Sequence, residues 1–187
     1  MTHRSFRLAA AFLVLAAPLA AARAQDAAAE METEVFGAWT MRCVERTDAL
    51  PPCDITQAVA SRETGKPIMQ ASLAYAPDKD KYAVQILLPL GFLIPPGLHV
   101  RIEGVEPDIT DWLVTRCEPQ GCFIEGLHDA AVLAPFRDHE TAGVIVIGKN
   151  GKPMIFPMAL AGFGDALDAM TARNRPPPGP GQAGDWK

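Results

Sequence analysis

The chain has 187 residues, 49% of them apolar, and carries 17 basic against 22 acidic side chains for a net charge of −5. Its length suits one domain with a buried core rather than a string of modules. The acidic balance, with no run of lysines or arginines, disfavours nucleic-acid backbones and anionic membranes as partners.

The first 24 residues read as a signal peptide. His3, Arg4 and Arg7 form a positive start, Leu8 to Ala17 is an apolar run, and Pro18 breaks it. Ala22-Arg23-Ala24 then supplies a small-x-small cleavage site before Gln25. The apolar run is too short to span a membrane, and no later stretch of about 18 residues is free of charge. The first cysteine is Cys43, far from the cleavage site, which excludes a lipid-modified N-terminal cysteine. The expected location is therefore the periplasm or beyond it, with association at the outer membrane left open. Cleavage removes Arg4, Arg7 and Arg23, leaving 14 basic against 22 acidic residues, or −8.

Residues 25–34, rich in Ala and Glu, are expected to be a disordered lead-in to a domain spanning 35–172. Val35 to Gln57 reads as strand, turn-rich loop and strand, with Cys43 and Cys53 at the loop's ends. Trp39, Met41 and Cys43 alternate with Thr40 and Arg42, and Ile55, Gln57 and Val59 continue the face of Cys53. Asp48, Pro51 and Pro52 break the chain between them. Lys66–Ala76 and Lys81–Leu88 follow as strands about a Pro77–Asp80 turn. Prolines and glycines forbid a helix in 88–104, and two short strands around Pro95-Pro96-Gly97 are expected there.

Asp111–Cys117 reads as one strand, turning through Glu118–Gly121 into Cys122–Glu125. Gly126–Ala134 fits a short helix or a loop equally well. Gly143–Gly148 is a β run, Asn150-Gly151 is a turn signal, and Lys152–Pro157 pairs back. Phe163, Ala166, Leu167 and Met170 at helical spacing predict a short helix over Phe163–Thr171. The Pro/Gly-rich residues 173–187 are expected to be a disordered tail. About eight to ten short strands and one late helix indicate an all-β fold, an antiparallel β-sandwich.

Four cysteines in an exported chain read as two disulfides rather than a metal site, since their spacing does not match paired C-x2-C knuckles. Three connectivities are open. The local one, Cys43–Cys53 with Cys117–Cys122, is expected because both pairs flank turns. Gly143 to Asn150 imitates a phosphate-binding loop but lacks the final hydroxyl, and no helix follows. His128-Asp129 and Asp138-His139-Glu140 set imidazoles beside carboxylates, while His99 alternates outward from a strand. Neighbours on a strand face opposite ways, so solvated loops are the default reading for both groups. Glu103, Glu106, Asp108 and Asp111 cluster without a calcium-loop pattern. Neither Ser61 nor Ser72 lies in a nucleophile elbow. No catalytic, metal or cofactor-binding residue is therefore assigned.

Phe36-Gly37-Ala38-Trp39 before Cys43, Cys53-Asp54-Ile55-Thr56-Gln57, Leu88-Pro89-Leu90-Gly91 with Pro96-Gly97, Cys117 with Gly121-Cys122, and Gly162-Phe163 occur in that order. This series, covering Val35 to Met170, resembles the invasion-associated locus B family of exported bacterial proteins. The resemblance implies an immunoglobulin-like sandwich and a non-enzymatic binding module that meets a protein or glycan of the envelope or of a host surface. The alternative is a periplasmic structural or stress-related envelope protein. A hydrolase using His128 or His139 ranks third.

Overall fold

The structure, a computed structural model, describes residues 31–45 and 51–176. The expected signal peptide, most of the lead-in, the loop tip at 46–50 and the tail from 177 lie outside the described residues.

Seven strands form one antiparallel sheet in the order β1 (Glu32–Phe36), β2 (Trp39–Cys43), β3 (Cys53–Ala60), β4 (Pro67–Ala76), β5 (Lys81–Leu88), β9 (Gly121–His128) and β8 (Val114–Glu118). A four-stranded sheet runs β11 (Pro153–Ala159), β10 (Thr141–Ile147), β6 (Leu98–Ile102) and β7 (Ile109–Trp112). Between them lies a core that includes Trp39, Ile55 and Ile86 from the first sheet and Val100, Val144 and Phe156 from the second. A single helical turn α1 (Ala130–Leu133), a 3₁₀ turn (Ala134–Phe136) and helix α2 (Phe163–Asn174) complete the described fold. Leu133, Phe136, Phe163, Leu167 and Met170 carry these elements into the core. The antiparallel all-β architecture with a C-terminal helix is as the sequence predicts.

The differences in detail have physical causes. Strand β1 begins at Glu32, inside the stretch expected to be a disordered lead-in. Its backbone pairs along β2 from Glu32↔Cys43 to Phe36↔Trp39, and Arg173 donates to both carboxylate oxygens of Glu32 at 3.0 Å. Helix α2 likewise runs past the expected start of the tail, through Arg173 and Asn174. Asn174 is fully buried: its amide donates to the carbonyls of Cys53 (2.9 Å) and Tyr75 (3.2 Å) and accepts the Cys53 N–H (2.9 Å). A side chain so fully paired holds the helix end in place.

The segment expected as one strand over Asp111–Cys117 is two. Residues Ile109–Trp112 pair with β6, and Val114–Glu118 pair with β9, so the chain changes sheet at Leu113. Register shifts between Val114 and Arg116 and between Leu98 and Val100 supply the bend, as bulges do at sandwich corners. Trp112 turns inward, stacks parallel on Phe136 with centroids 6.1 Å apart, and plugs the gap between the sheets. The pair of strands expected around Pro95-Pro96-Gly97 is one strand, β6, preceded by a loop that touches the sheet at a single bridge, Phe92↔Gly148. Gly126–His128 continue β9, which resolves the ambiguous stretch after Glu125.

The structure pairs Cys43 with Cys53 and Cys117 with Cys122. Each bridge joins residues directly opposite in the ladder, so each sits across a strand pair at the mouth of its turn.

Candidate binding faces

The pieces that carried the family resemblance meet at two places, and both are structural. At the first, the β1–β2 turn lies against the turn entering α2. A Cβ on Gly37 would stand 2.4 Å from the Ala161 carbonyl oxygen, and one on Gly162 would stand 2.3 Å from that of Phe36. Both glycines have positive φ, +57° and +80°, so backbone packs on backbone where no side chain fits. Ala38 N–H donates to Ala161 O at 2.9 Å, and Trp39 meets the Phe163 ring edge-on at 5.1 Å.

Gln57 joins the sheets at the same place. It is 6% exposed, its Oε1 accepts the Ala159 N–H (3.0 Å), and its Nε2 donates to the carbonyls of Ala159 (2.7 Å) and Ala38 (3.3 Å). Trp39 Nε1 adds a bond to the same Ala159 oxygen at 2.9 Å. The Gln side chain thus takes the part of a neighbouring strand at the edge of β11. At the second place Gly121 backs onto Leu88, whose carbonyl oxygen would lie 2.3 Å from an added Cβ. These residues hold the fold together.

The outer face of the seven-stranded sheet carries side chains in register rows. One row runs Thr40, Thr56, Ser72, Gln85, Glu125 across β2, β3, β4, β5 and β9. A second row is Ala74, Ala83 and Leu127. Small residues at Ser72 and Ala83 leave a shallow depression of about 370 Å³, bounded by Gln85, Glu125 and the exposed Leu127. Gln85 Nε2 and Thr115 Oγ1 each donate to Glu125 at 2.7 Å, and Arg116 closes on the same carboxylate. The Arg116 guanidinium, joined by those donors, holds the Glu125 carboxyl below the usual range. Arg116 also lies over the Phe123 ring at 3.9 Å. The face is an array of hydroxyl, amide and carboxylate groups at strand spacing, in which Gln85, Thr115 and Arg116 bond Glu125 and Thr56 Oγ1 donates to the Ala71 carbonyl at 3.1 Å.

Among the described residues the acid–base candidates have separate surroundings. Asp129 turns to Lys81 at 3.3 Å, and His139 Nδ1 lies 2.7 Å from the Pro135 carbonyl oxygen. The His128 ring packs on Trp112 at 5.0 Å and lines, with Thr115, Glu125 and Leu113, a pocket of about 220 Å³ where the chain changes sheet. Trp112 Nε1 is buried there with no hydrogen-bond partner among the described residues. His99 is half-buried on β6. Asp108 of the acidic cluster is taken by Arg101 through bonds of 2.7–3.2 Å, which hold its carboxyl low. Among the described residues no group of three or more His, Cys, Asp or Glu is placed to hold a metal. The phosphate-loop imitation is strand β10 and its turn, as its β character predicts.

The family model for invasion associated locus B (IalB) protein matches residues 39–171. The chain belongs to the IalB family. Two curated relatives, each called "Invasion protein B homolog", come from Brucella abortus strains 2308 and 9-941. Each is 27% identical over 172 residues, covering 91% of this chain and 96% of the relative. The crystal structure of invasion associated protein b from Bartonella henselae is similar in fold, with a TM-score of 0.65 at 18% identity over 75% of this chain and 96% of that one. These relatives carry invasion-protein names and not enzyme names. Among the described residues of this IalB-family chain no helix is long and apolar enough to cross a membrane.

Sequence reasoning passed over Gln57 and Asn174 as specific contacts. Signals existed for both. Gln57 shares the inward face of Cys53 and Ile55, where a polar side chain must be paired, and Pro176 two residues beyond Asn174 is a helix-stop signal.

Proposed function

We propose that this chain is an exported, non-enzymatic binding module of the bacterial envelope, which holds a protein or glycan of the envelope or a host surface on the outer face of its seven-stranded sheet. One observation carries the reading: the row Thr40, Thr56, Ser72, Gln85, Glu125 presents hydrogen-bonding groups across five strands beside a depression floored by small residues. The invasion-protein names of the relatives support it, and the N-terminal sequence with two disulfides supports export. Virulence and the choice between periplasm and cell surface belong to this proposal.

The test is capture of partners from envelope and host-membrane extracts by the folded protein, beside an Ala83→Arg variant. The half-exposed Ala83 site accepts the longer side chain at the depression without touching the core. Capture that is lost with Ala83→Arg supports the face. Capture unaffected by it moves recognition elsewhere, and a protein recovered only from cytosol ends the reading. Cell fractionation separates the two partner classes, since a protein confined to periplasmic extract has envelope partners only.

A further inference from the structure

The outer face of the four-stranded sheet is apolar along its middle. The register sets Ile145 opposite Ile155 and Ile147 opposite Pro153, and Leu93 donates its N–H to the Ile147 carbonyl at 2.7 Å. Ile155 is 61% exposed and Leu93 41%. Gly143, paired with Pro157, has no side chain to fill the face, and a depression of about 440 Å³ opens over Gly143, Ile145 and Ile155. Ile145 itself is only 9% exposed, and the apolar groups in the open are Ile155, Leu93, Pro153 and Pro157, neighbours that mark a contact surface rather than scattered exposure.

Charge is divided between the two ends of this stripe. Glu103 and Glu106 line the depression at one end, and Arg101 beside them is neutralised by Asp108. Lys149 and Lys152 stand at the other end, in the turn joining β10 to β11. None of these four residues is in an ion pair among the described residues. Six strand steps from Thr141 to Ile147 separate the ends by roughly 20 Å. The β11 edge of the sheet, which borders the stripe, is closed to a further strand, because Pro153 and Pro157 have no N–H to offer. The stripe itself is open to contact through its face.

We propose that two copies of this chain associate through this face, about a two-fold axis that lies in the interface and runs across the strands. That axis sets the acidic end of one copy on the lysine end of the other and brings the exposed Ile155 strips of the two copies together; an axis along the strands would set like charges together. Four strands about 4.8 Å apart and about 20 Å long offer roughly 400 Å² of sheet face per copy, so the dimer is weak and dissociates on dilution. The contact is independent of the partner face above, and leaves the two seven-stranded sheets pointing away from each other.

Sedimentation velocity and light scattering on the chain after signal removal, over about 5 to 500 µM, test it by mass action. The weight-average mass should climb from that of one copy toward twice that value. Ile155→Asp, at an exposed site, should hold the protein monomeric with an unchanged melting temperature. Lys149→Glu with Lys152→Glu should weaken association at least about tenfold, and adding Glu103→Lys with Glu106→Lys should restore it. Monomer mass at every concentration overturns the proposal, as does association indifferent to Ile155→Asp. Charge reversals that are not rescued by their counterparts overturn the proposed axis. A monomer that loses an envelope partner on Ile155→Asp assigns the face to that partner instead.

Discussion

Gln57→Ala tests whether one side chain joins the two sheets. Truncation removes three hydrogen bonds, but the losses are unequal. The exposed Ala38 carbonyl can turn to water, and the Ala159 carbonyl keeps Trp39 Nε1, so the half-buried Ala159 N–H is the group left without a partner. Leaving such a donor unsatisfied costs about 1–3 kcal/mol. The space left by one methylene, about 0.8 kcal/mol when buried, and by the carboxamide adds about 1 kcal/mol after partial collapse. The expected loss is about 2–4 kcal/mol, a large share of the roughly 5–15 kcal/mol that holds such a domain. Urea unfolding followed by tryptophan fluorescence measures it, with an unchanged m-value showing that only stability moved. Gln57→Glu sharpens the test. Its carboxylate keeps the acceptor for Ala159 N–H but turns an anion on the carbonyl that Nε2 now meets at 2.7 Å. Burial and that carbonyl raise the folded-state pKa of the new carboxyl above its unfolded value of about 4.3. The penalty is therefore absent below about pH 4 and grows as pH rises through the folded-state value, so the gap to wild type should widen from pH 5 to pH 8. A Gln57→Ala loss under about 0.5 kcal/mol, or a Gln57→Glu gap that does not change with pH, would refute the reasoning.

Gly162→Ala should destabilise by several times the cost of Gly65→Ala: both have positive φ, but only Gly162 also meets backbone, at 2.3 Å, while Gly65 has open space; equal melting temperatures for the two variants would deny the close contact. Mild reductant should open Cys117–Cys122 before Cys43–Cys53, since Cys117 is exposed and the other pair is buried, and mass mapping of alkylated peptides shows the order. Replacing the first pair by Ser should cost at least about 0.6 kcal/mol more than replacing the second, from the doubled loop length alone, in chemical unfolding. Arg116 holds Glu125 low and Arg137 holds Asp168 low, so their contributions are present above the unfolded values near pH 4 and are lost as pH falls further. Glu125→Gln should therefore flatten the fall in stability between about pH 5 and pH 3, and an unchanged slope in acid unfolding would sink this attribution.

The sequence by itself determined the strands whose alternation is local. Trp39–Cys43, Lys81–Leu88 and the run after Thr141 could be read because one face of each had to be apolar. It also determined the family, through short pieces far apart in the chain. Tertiary structure decided why those pieces occur: Phe36-Gly37 and Gly162 are backbone surfaces that touch, and Gln57 bonds a strand 102 residues away. No local pattern contains such a contact. Residues 109–118 show the same limit. Their alternation reads as one strand because both halves are extended, and only the placement of Trp112 between the sheets makes the chain change partners at Leu113. The exposed faces were least legible, because an outward Ser72 or Ala83 looks like any solvent position until pairing sets it beside Gln85 and Leu127. Sequence assigns each strand an inside and an outside, while the order of strands in the sheet decides which outside residues become one surface.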